Sequence, residues 1–135
     1  MCGIVGIVTE NAEQYKETLI DMLLALKQRG PDATGTCIFS NCALGHARLS
    51  IVDLNSGSQP MLAEHKTLAI TFNGEIYGYR EIRESIPGYW FETTSDTEVI
   101  LALYSKYGSE MMSYLPGMFS FAIWNKREQS LFAAR

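Results

Sequence analysis

The opening run CGIVGIVT is apolar, rich in Val and Ile, and carries glycines that admit a neighbouring backbone. It predicts a short buried strand. The period then changes: Tyr15, Leu19, Met22, Leu23 and Leu26 recur at three- and four-residue steps, with Glu, Lys and Asp between them. That spacing predicts a helix over 12–29, ended by Gly30 and Pro31. Two strand-like runs follow, TGTCIFS and CALGHARLSIV, with a turn near Asn41, and then a loop, DLNSGSQP. TLAITFN predicts a further strand that ends on Asn-Gly-Glu. YREIRES predicts a short helix closed by IPG. SDTEVILALYSKYG predicts a longer one, with Ser95 as N-cap, Glu98 in a capping box and Gly108 as the stop. The last segment, GMFSFAIWNKREQSLFAAR, predicts a hairpin turning at NKREQ. Strand runs with intervening helices predict two sheets packed face to face and covered by helices.

Composition narrows the setting without choosing a function. A chain of 135 residues, 47% apolar and 19% charged, suits a single globular domain over 1–135. It shows no internal repeat and no linker. The longest apolar block lies inside an amphipathic pattern, and the N-terminus lacks the basic and apolar regions of a secretory signal, so neither a membrane nor export is expected. A net charge of −4 with scattered basic residues argues against nucleic-acid partners. Three cysteines, an odd number, favour a reducing compartment and a cytoplasmic location.

Four short stretches carry chemistry. Cys2 becomes the first residue if Met1 is clipped, and then bears a thiol beside its own α-amine. An amine of pKa about 7.7–8.0 can take the proton as the sulfur attacks. Asn73-Gly74, read as a strand tip, sets a side-chain amide beside an unhindered backbone N–H, two donors for one developing oxyanion. Asn-Gly is also the commonest hairpin dipeptide, and taken singly the turn is the better reading. Arg48 is a lone guanidinium in an apolar strand and calls for a carboxylate, from the protein or from a ligand. Asp96 is a natural first-turn residue of a helix, and equally a carboxylate that can hold an ammonium. Glu75, directly after the Asn-Gly pair, is a further carboxylate. Together these groups supply the parts needed to bind a free amino acid and attack its side-chain amide.

In this order, MCGIVGI, RGPDATG, HARLSIVDLNSGSQPM, FNGEIY, SDTEVILALY and GMFSFAIWN resemble the N-terminal glutamine amidotransferase domain of glutamine-hydrolysing asparagine synthetases. That domain is of class II, within the N-terminal-nucleophile hydrolases. The resemblance implies an α+β fold, a four-layer αββα sandwich of two antiparallel sheets. It implies Cys2 as nucleophile, Asn73 and Gly74 as oxyanion hole, and Arg48 on the glutamine α-carboxylate. Glu75 and Asp96 would hold the α-ammonium, and the backbone of Ile51 and Val52 would line the pocket. It implies L-glutamine as substrate and no cofactor or metal for this domain, since ATP and magnesium belong to the synthetase domain that partners it in the family. Two departures stand out. Gly78 replaces the family's Asn, a change expected to touch a helix start rather than chemistry. The chain also stops at FAAR, before the family's further strands, and contains no Ser-Gly-Gly pyrophosphate loop.

Two rival readings remain at this stage. Cys37, Cys42, His46 and His65 form a loose Cys/His set that a metal-binding module could use, although the spacing suits structural zinc poorly. A truncated, inactive domain that binds glutamine or a partner is the other, because an uncovered last strand offers an edge for self-association.

Overall fold

Strand alternation decides which side chains meet in this molecule. The computed structural model describes residues 1–49, 57–63 and 65–135. Strands β1 (Gly3–Val8), β2 (Ala33–Ile38) and β3 (Cys42–Arg48) form an antiparallel sheet in the order β1-β3-β2. Strands β4 (Met61–Ala63), β5 (Leu68–Ile76), β6 (Gly117–Asn125) and β7 (Ser130–Ala134) form a second, in the order β4-β5-β6-β7, also antiparallel. Helix α1 (Lys16–Ala25) lies on β1 and β3, and α3 (Asp96–Tyr107) lies on β4 and β5. The inner faces of β1 and β3 rest on β5. The expected α+β sandwich of two antiparallel sheets is therefore present, with helix, sheet, sheet and helix as its layers.

Period-2 alternation sorts each strand between two environments. On β5, Leu68, Ile70 and Phe72 join Phe121 and Ile123 of β6 and the buried residues of α3 in the main core. Residues 96–103 of α3 are buried all round, because a short helix α2 (Tyr79–Glu84) and a 3-10 segment (Gly108–Tyr114) also pack against it. Each Leu, Ile or Phe so buried contributes about 1.5–3 kcal/mol. On the opposite faces, Cys42, Leu44, Ala69 and Trp124 make a small core between the sheets. The other face of β3 meets α1: Ala43 packs with Leu19 and Ala12.

The structure amends the sequence-based expectations in five places. The segment 12–29 is a 3-10 turn (Ala12–Tyr15) followed by α1, which ends at Ala25, before Gly30. Turn hydrogen bonds from Leu26, Lys27 and Arg29 onto Leu23, Leu24 and Leu26 tighten the chain there. Within the apolar stripe, Leu19 and Leu23 are buried, but Tyr15 lies on the surface. Strand β5 does not stop at Asn73. It runs through Gly74 and Glu75 to Ile76, paired with β6 throughout, so Asn-Gly is neither a hairpin turn nor a strand tip. Ser95 caps α3 by accepting from Thr97 N at 3.2 Å, but Glu98 does not close a capping box. Its carboxylate instead accepts from Glu92 N, Thr93 N and Thr93 Oγ1 at 2.8, 2.6 and 2.6 Å, holding the loop before the helix. Strand β4, over Met61–Ala63, had no counterpart among the predicted elements. The predicted hairpin of β6 and β7 is present, its turn held by Asn125 Oδ1, which accepts from Arg127 N and Glu128 N. Gly78 takes a left-handed conformation (φ 63°) directly before α2 and does not line the cleft described below.

Candidate active site

The sheets part beyond their shared core, and a cleft of about 250 Å³ opens there. Cys2, Arg48, Asn73, Gly74, Glu75 and Asp96 all line it. Residues that lie in separate stretches of the sequence are thus brought together on two sheets and one helix. Ile51 and Val52, also expected at the pocket, lie outside the described residues.

Sheet register explains the first part of this assembly. Gly3 pairs with Ala47, so Cys2 falls opposite Arg48 at the end of the β1–β3 ladder. Leu49 N donates to Cys2 Sγ at 3.3 Å, and the thiol reaches Leu49 O at 3.5 Å. The RGPD turn clamps the same place: Arg29 Nε donates to Cys2 O at 3.3 Å, and Asp32 N donates to Arg48 O at 3.0 Å. Gly30 is required for this closeness, because a Cβ there would stand 2.1 Å from Ala47 O. Met1 is exposed and lies at the rim of the cleft.

The second sheet supplies Asn73 and Gly74. Gly74 has φ +149°, and a Cβ on it would lie 2.3 Å from Met118 O, so β6 approaches as closely as it does only because the residue is glycine. Asp96, in the first turn of α3, is buried, and its Oδ2 accepts from Ile76 N at 3.2 Å. Burial raises its carboxyl above the usual range and Glu75 adds to this, against the backbone hydrogen bonds from Ile76, Thr97 and its own N–H. Gln59 ties the helix to the strand from below: its Oε1 accepts from Phe72 N at 2.6 Å, and its Nε2 reaches Thr97 Oγ1 at 3.3 Å.

His46 and Gln59 line the cleft without having been singled out for it from the sequence. A signal for His46 was present: in GHARL it stands two residues before Arg48, so alternation puts both on one face. The metal-module reading is not supported by this arrangement. His65 is exposed in the turn between β4 and β5 of the other sheet, and no group of His, Cys, Asp and Glu suited to a metal occurs among the described residues. Burial pushes the Cys42 thiol up to about 12, with Cys37 adding to it, and burial also raises Cys37. Both are poor nucleophiles at neutral pH and neither lines the cleft, which leaves Cys2 as the thiol of the site.

Two antiparallel sheets between helices, parted over a cleft with a cysteine at the first strand, define a known architecture. The chain matches the glutamine phosphoribosylpyrophosphate amidotransferase of B. subtilis, complexed with ADP and GMP, with a TM-score of 0.69 and 20% identity. The match covers 93% of this chain and 35% of that one, and establishes a common fold. More particularly, residues 1–135 match the family model of the glutamine amidotransferase domain, and the chain belongs to that family. Asparagine synthetase [glutamine-hydrolyzing] 3 of Arabidopsis thaliana is 42% identical over 137 residues, which cover 100% of this chain and 24% of that protein. Asparagine synthetase [glutamine-hydrolyzing] 1 of Bacillus subtilis (strain 168) is 44% identical over 142 residues, 100% of this chain and 22% of its own length. The chain thus spans about a quarter of the length of these curated relatives. Among the described residues, no helix is long and apolar enough to cross a membrane.

Proposed function

We propose that this domain hydrolyses L-glutamine to L-glutamate and ammonia through a γ-glutamyl thioester on Cys2, once Met1 has been removed. One observation carries the reading: a thiol, two amide-type donors, a guanidinium and two carboxylates line a single cleft. Arg48 pairs with the α-carboxylate, and Glu75 and Asp96 hold the α-ammonium, which leaves the side-chain carboxamide to extend toward Cys2. With Met1 gone, the Cys2 amine takes the thiol proton while Sγ bonds to the carboxamide carbon. Asn73 Nδ2 and the Gly74 N–H donate to the oxyanion. Collapse breaks the C–N bond, the ammonium returns its proton to the departing nitrogen, and ammonia leaves. Water then adds to the thioester with the amine again as base, releasing glutamate and the thiol. While Met1 remains attached, the Cys2 nitrogen is an amide and cannot act as a base.

The ammonia is destined, on this proposal, for an acceptor bound by a synthetase domain like those of the asparagine synthetases it resembles, which is where ATP and magnesium would be used. The free Cys2, Cys37 and Cys42 agree with a reducing, cytoplasmic setting. The test is intact-protein and peptide mass spectrometry after treatment with a diazo-ketone analogue of glutamine. A Met-free chain alkylated on Cys2, with Cys2→Ala unlabelled, is the expected result. A Met-free chain that takes up no label overturns the proposal.

A further inference from the structure

The proposed reaction leaves unused a buried polar side chain of the cleft, the imidazole of His46, which is 1% exposed. Its tautomer follows from its neighbours. Thr71 Oγ1 donates to Gly45 O at 3.0 Å, so the hydroxyl has committed its single proton. At 3.2 Å from His46 Nδ1 it can then only accept, which places the imidazole proton on Nδ1 and leaves a bare lone pair on Nε2. Nε2 is buried and has no hydrogen-bond partner among the described residues. His46 lines the cleft, but Nε2 itself is covered in the empty site, so a donor from outside the chain reaches it only with a small shift of the ring or of the groups over it. Burial, and secondly the Arg48 charge, lower the imidazole pKa to about 4, so the ring is neutral at physiological pH and offers nothing to a carboxylate.

Position along β5 says which donor. Thr71 and Asn73 share one face of the strand, and Ile76, three residues beyond Asn73, is tied to Asp96. The order along the cleft is therefore the imidazole beside Thr71, the amide of Asn73, then the carboxylates of Glu75 and Asp96. A ligand with its ammonium at Glu75 and Asp96 and its carbonyl oxygen at Asn73 directs its far end toward Thr71. On an ω-carboxamide the group beyond the carbonyl is –NH2.

We infer that His46 Nε2 accepts a hydrogen bond from the ω-carboxamide N–H of the bound substrate, and that His46 thereby sets the preference for an ω-amide over an ω-carboxylate. The inference rests on the glutaminase reading of the cleft. It gives the imidazole two effects: the amide of the substrate supplies the missing donor, whereas the carboxylate of the product brings only lone pairs against Nε2 and is expelled. A site built around such an acceptor rejects a ligand without the matching donor far more strongly than an apolar wall does.

The test uses 15N-labelled Cys2→Ala protein, in which no turnover occurs. The chain holds two histidines, so a His65→Gln copy assigns the His46 ring nitrogens. L-Glutamine and L-glutamate are titrated separately, with binding followed by calorimetry and Nε2 by long-range 1H–15N correlation. The expected result is that glutamine binds and moves Nε2 toward the hydrogen-bonded range, while glutamate binds at least about tenfold more weakly and leaves Nε2 in place. His46→Phe in the same background should narrow the glutamine-over-glutamate preference by about tenfold or more. If glutamine binds while Nε2 stays unmoved, as it would with a resident water on that nitrogen, the assignment to His46 is overturned and the glutaminase reading stands. If glutamine does not bind at all, the glutaminase reading falls and the inference with it.

Discussion

Asp96 Oδ2 accepts the backbone N–H of Ile76 at 3.2 Å, which fastens the first turn of α3 to the end of β5. This bond does structural work and holds a carboxylate at the cleft, yet burial raises the Asp96 carboxyl above its usual range. A folded-state value above the unfolded one means that the native protein binds more protons in that window, so the ionised form weakens the fold. Asp96→Asn keeps an acceptor for Ile76 N and removes the buried charge. The variant should melt at or above the parent temperature at pH 7–8, with the advantage shrinking as pH falls. Its affinity for glutamine should drop by about 10- to 100-fold, the loss expected for one charge-assisted hydrogen bond. Thermal unfolding across pH and calorimetry with glutamine on the Cys2→Ala background measure the two effects. A less stable variant that binds normally would place Asp96 outside the site.

His46 acts on stability in the opposite sense. Its folded-state pKa of about 4 lies below the ordinary 6.5, because burial and the Arg48 charge disfavour the imidazolium. The unfolded chain binds more protons between those values, so this contribution is complete above pH 6.5 and is lost as pH falls toward 4. The loss should be on the order of 3 kcal/mol across that range. Urea unfolding of the parent and of His46→Phe at a series of pH values isolates it, since the variant should lack that share of the slope. An equal slope in both would show that His46 does not titrate as described.

Thr71→Val leaves the His46 Nδ1–H without its acceptor and removes the second donor to Gly45 O, which keeps its bond in the β1–β3 ladder. A buried group left unpaired costs about 1–3 kcal/mol, and the urea midpoint should fall accordingly with an unchanged m-value. Thr71→Ser keeps the hydroxyl and should recover most of that loss. A valine variant as stable as the parent would mean that this hydrogen-bond chain does not fix the imidazole.

Gly74→Ala tests the strand at the proposed oxyanion position. The left-handed backbone alone strains the variant by roughly 1–3 kcal/mol. The added Cβ would also stand 2.3 Å from Met118 O, so β5 and β6 must move apart there. Alkylation of Cys2 by the diazo-ketone should fall at least about tenfold, in line with the loss of one oxyanion donor. Labelling at the parental rate would remove Gly74 from the site.

Arg48→Ala should weaken glutamine by about 10- to 100-fold, the worth of a charge-assisted pairing. The loss should depend on the ligand's α-carboxylate. The parent should discriminate glutamine from its decarboxylated amine, and the variant should bind both equally weakly. Calorimetry with the two ligands reads this directly. Retained discrimination in the variant would assign the carboxylate to another group.

Much of this molecule was legible in the linear chain, because local patterns carry local information. Alternation and β-branched composition located β1, β2, β3, β6 and β7, and Ser95 before an apolar-periodic run marked the start of α3. The ordered motifs named Cys2, Arg48, Asn73, Gly74, Glu75 and Asp96 before any of them could be placed in space. The errors fell where two local signals competed. Asn-Gly is the best hairpin signal in the sequence, yet β6 pairs with β5 straight through it, because two strands with glycines at Gly74 and Gly117 can come closer than a turn propensity can forbid. Glu98 had the spacing of a capping box, but the loop at Glu92 and Thr93 offered its carboxylate more donors than the Ser95 N–H could.

By itself the sequence determined the parts: a thiol that one cleavage makes N-terminal, the amide and carboxylate groups, the strands and helices that carry them, and the family to which they belong. Only the tertiary structure decided that these parts share one cleft, because that depends on the β1–β3 register that sets Cys2 opposite Arg48 and on the packing of β5 between β3 and α3. It also decided the character of His46 and Asp96. Whether an imidazole is neutral and a carboxyl resists ionisation depends on how far each is removed from water and on which partners remain, and burial is a property of contacts between distant segments that no short stretch of sequence contains.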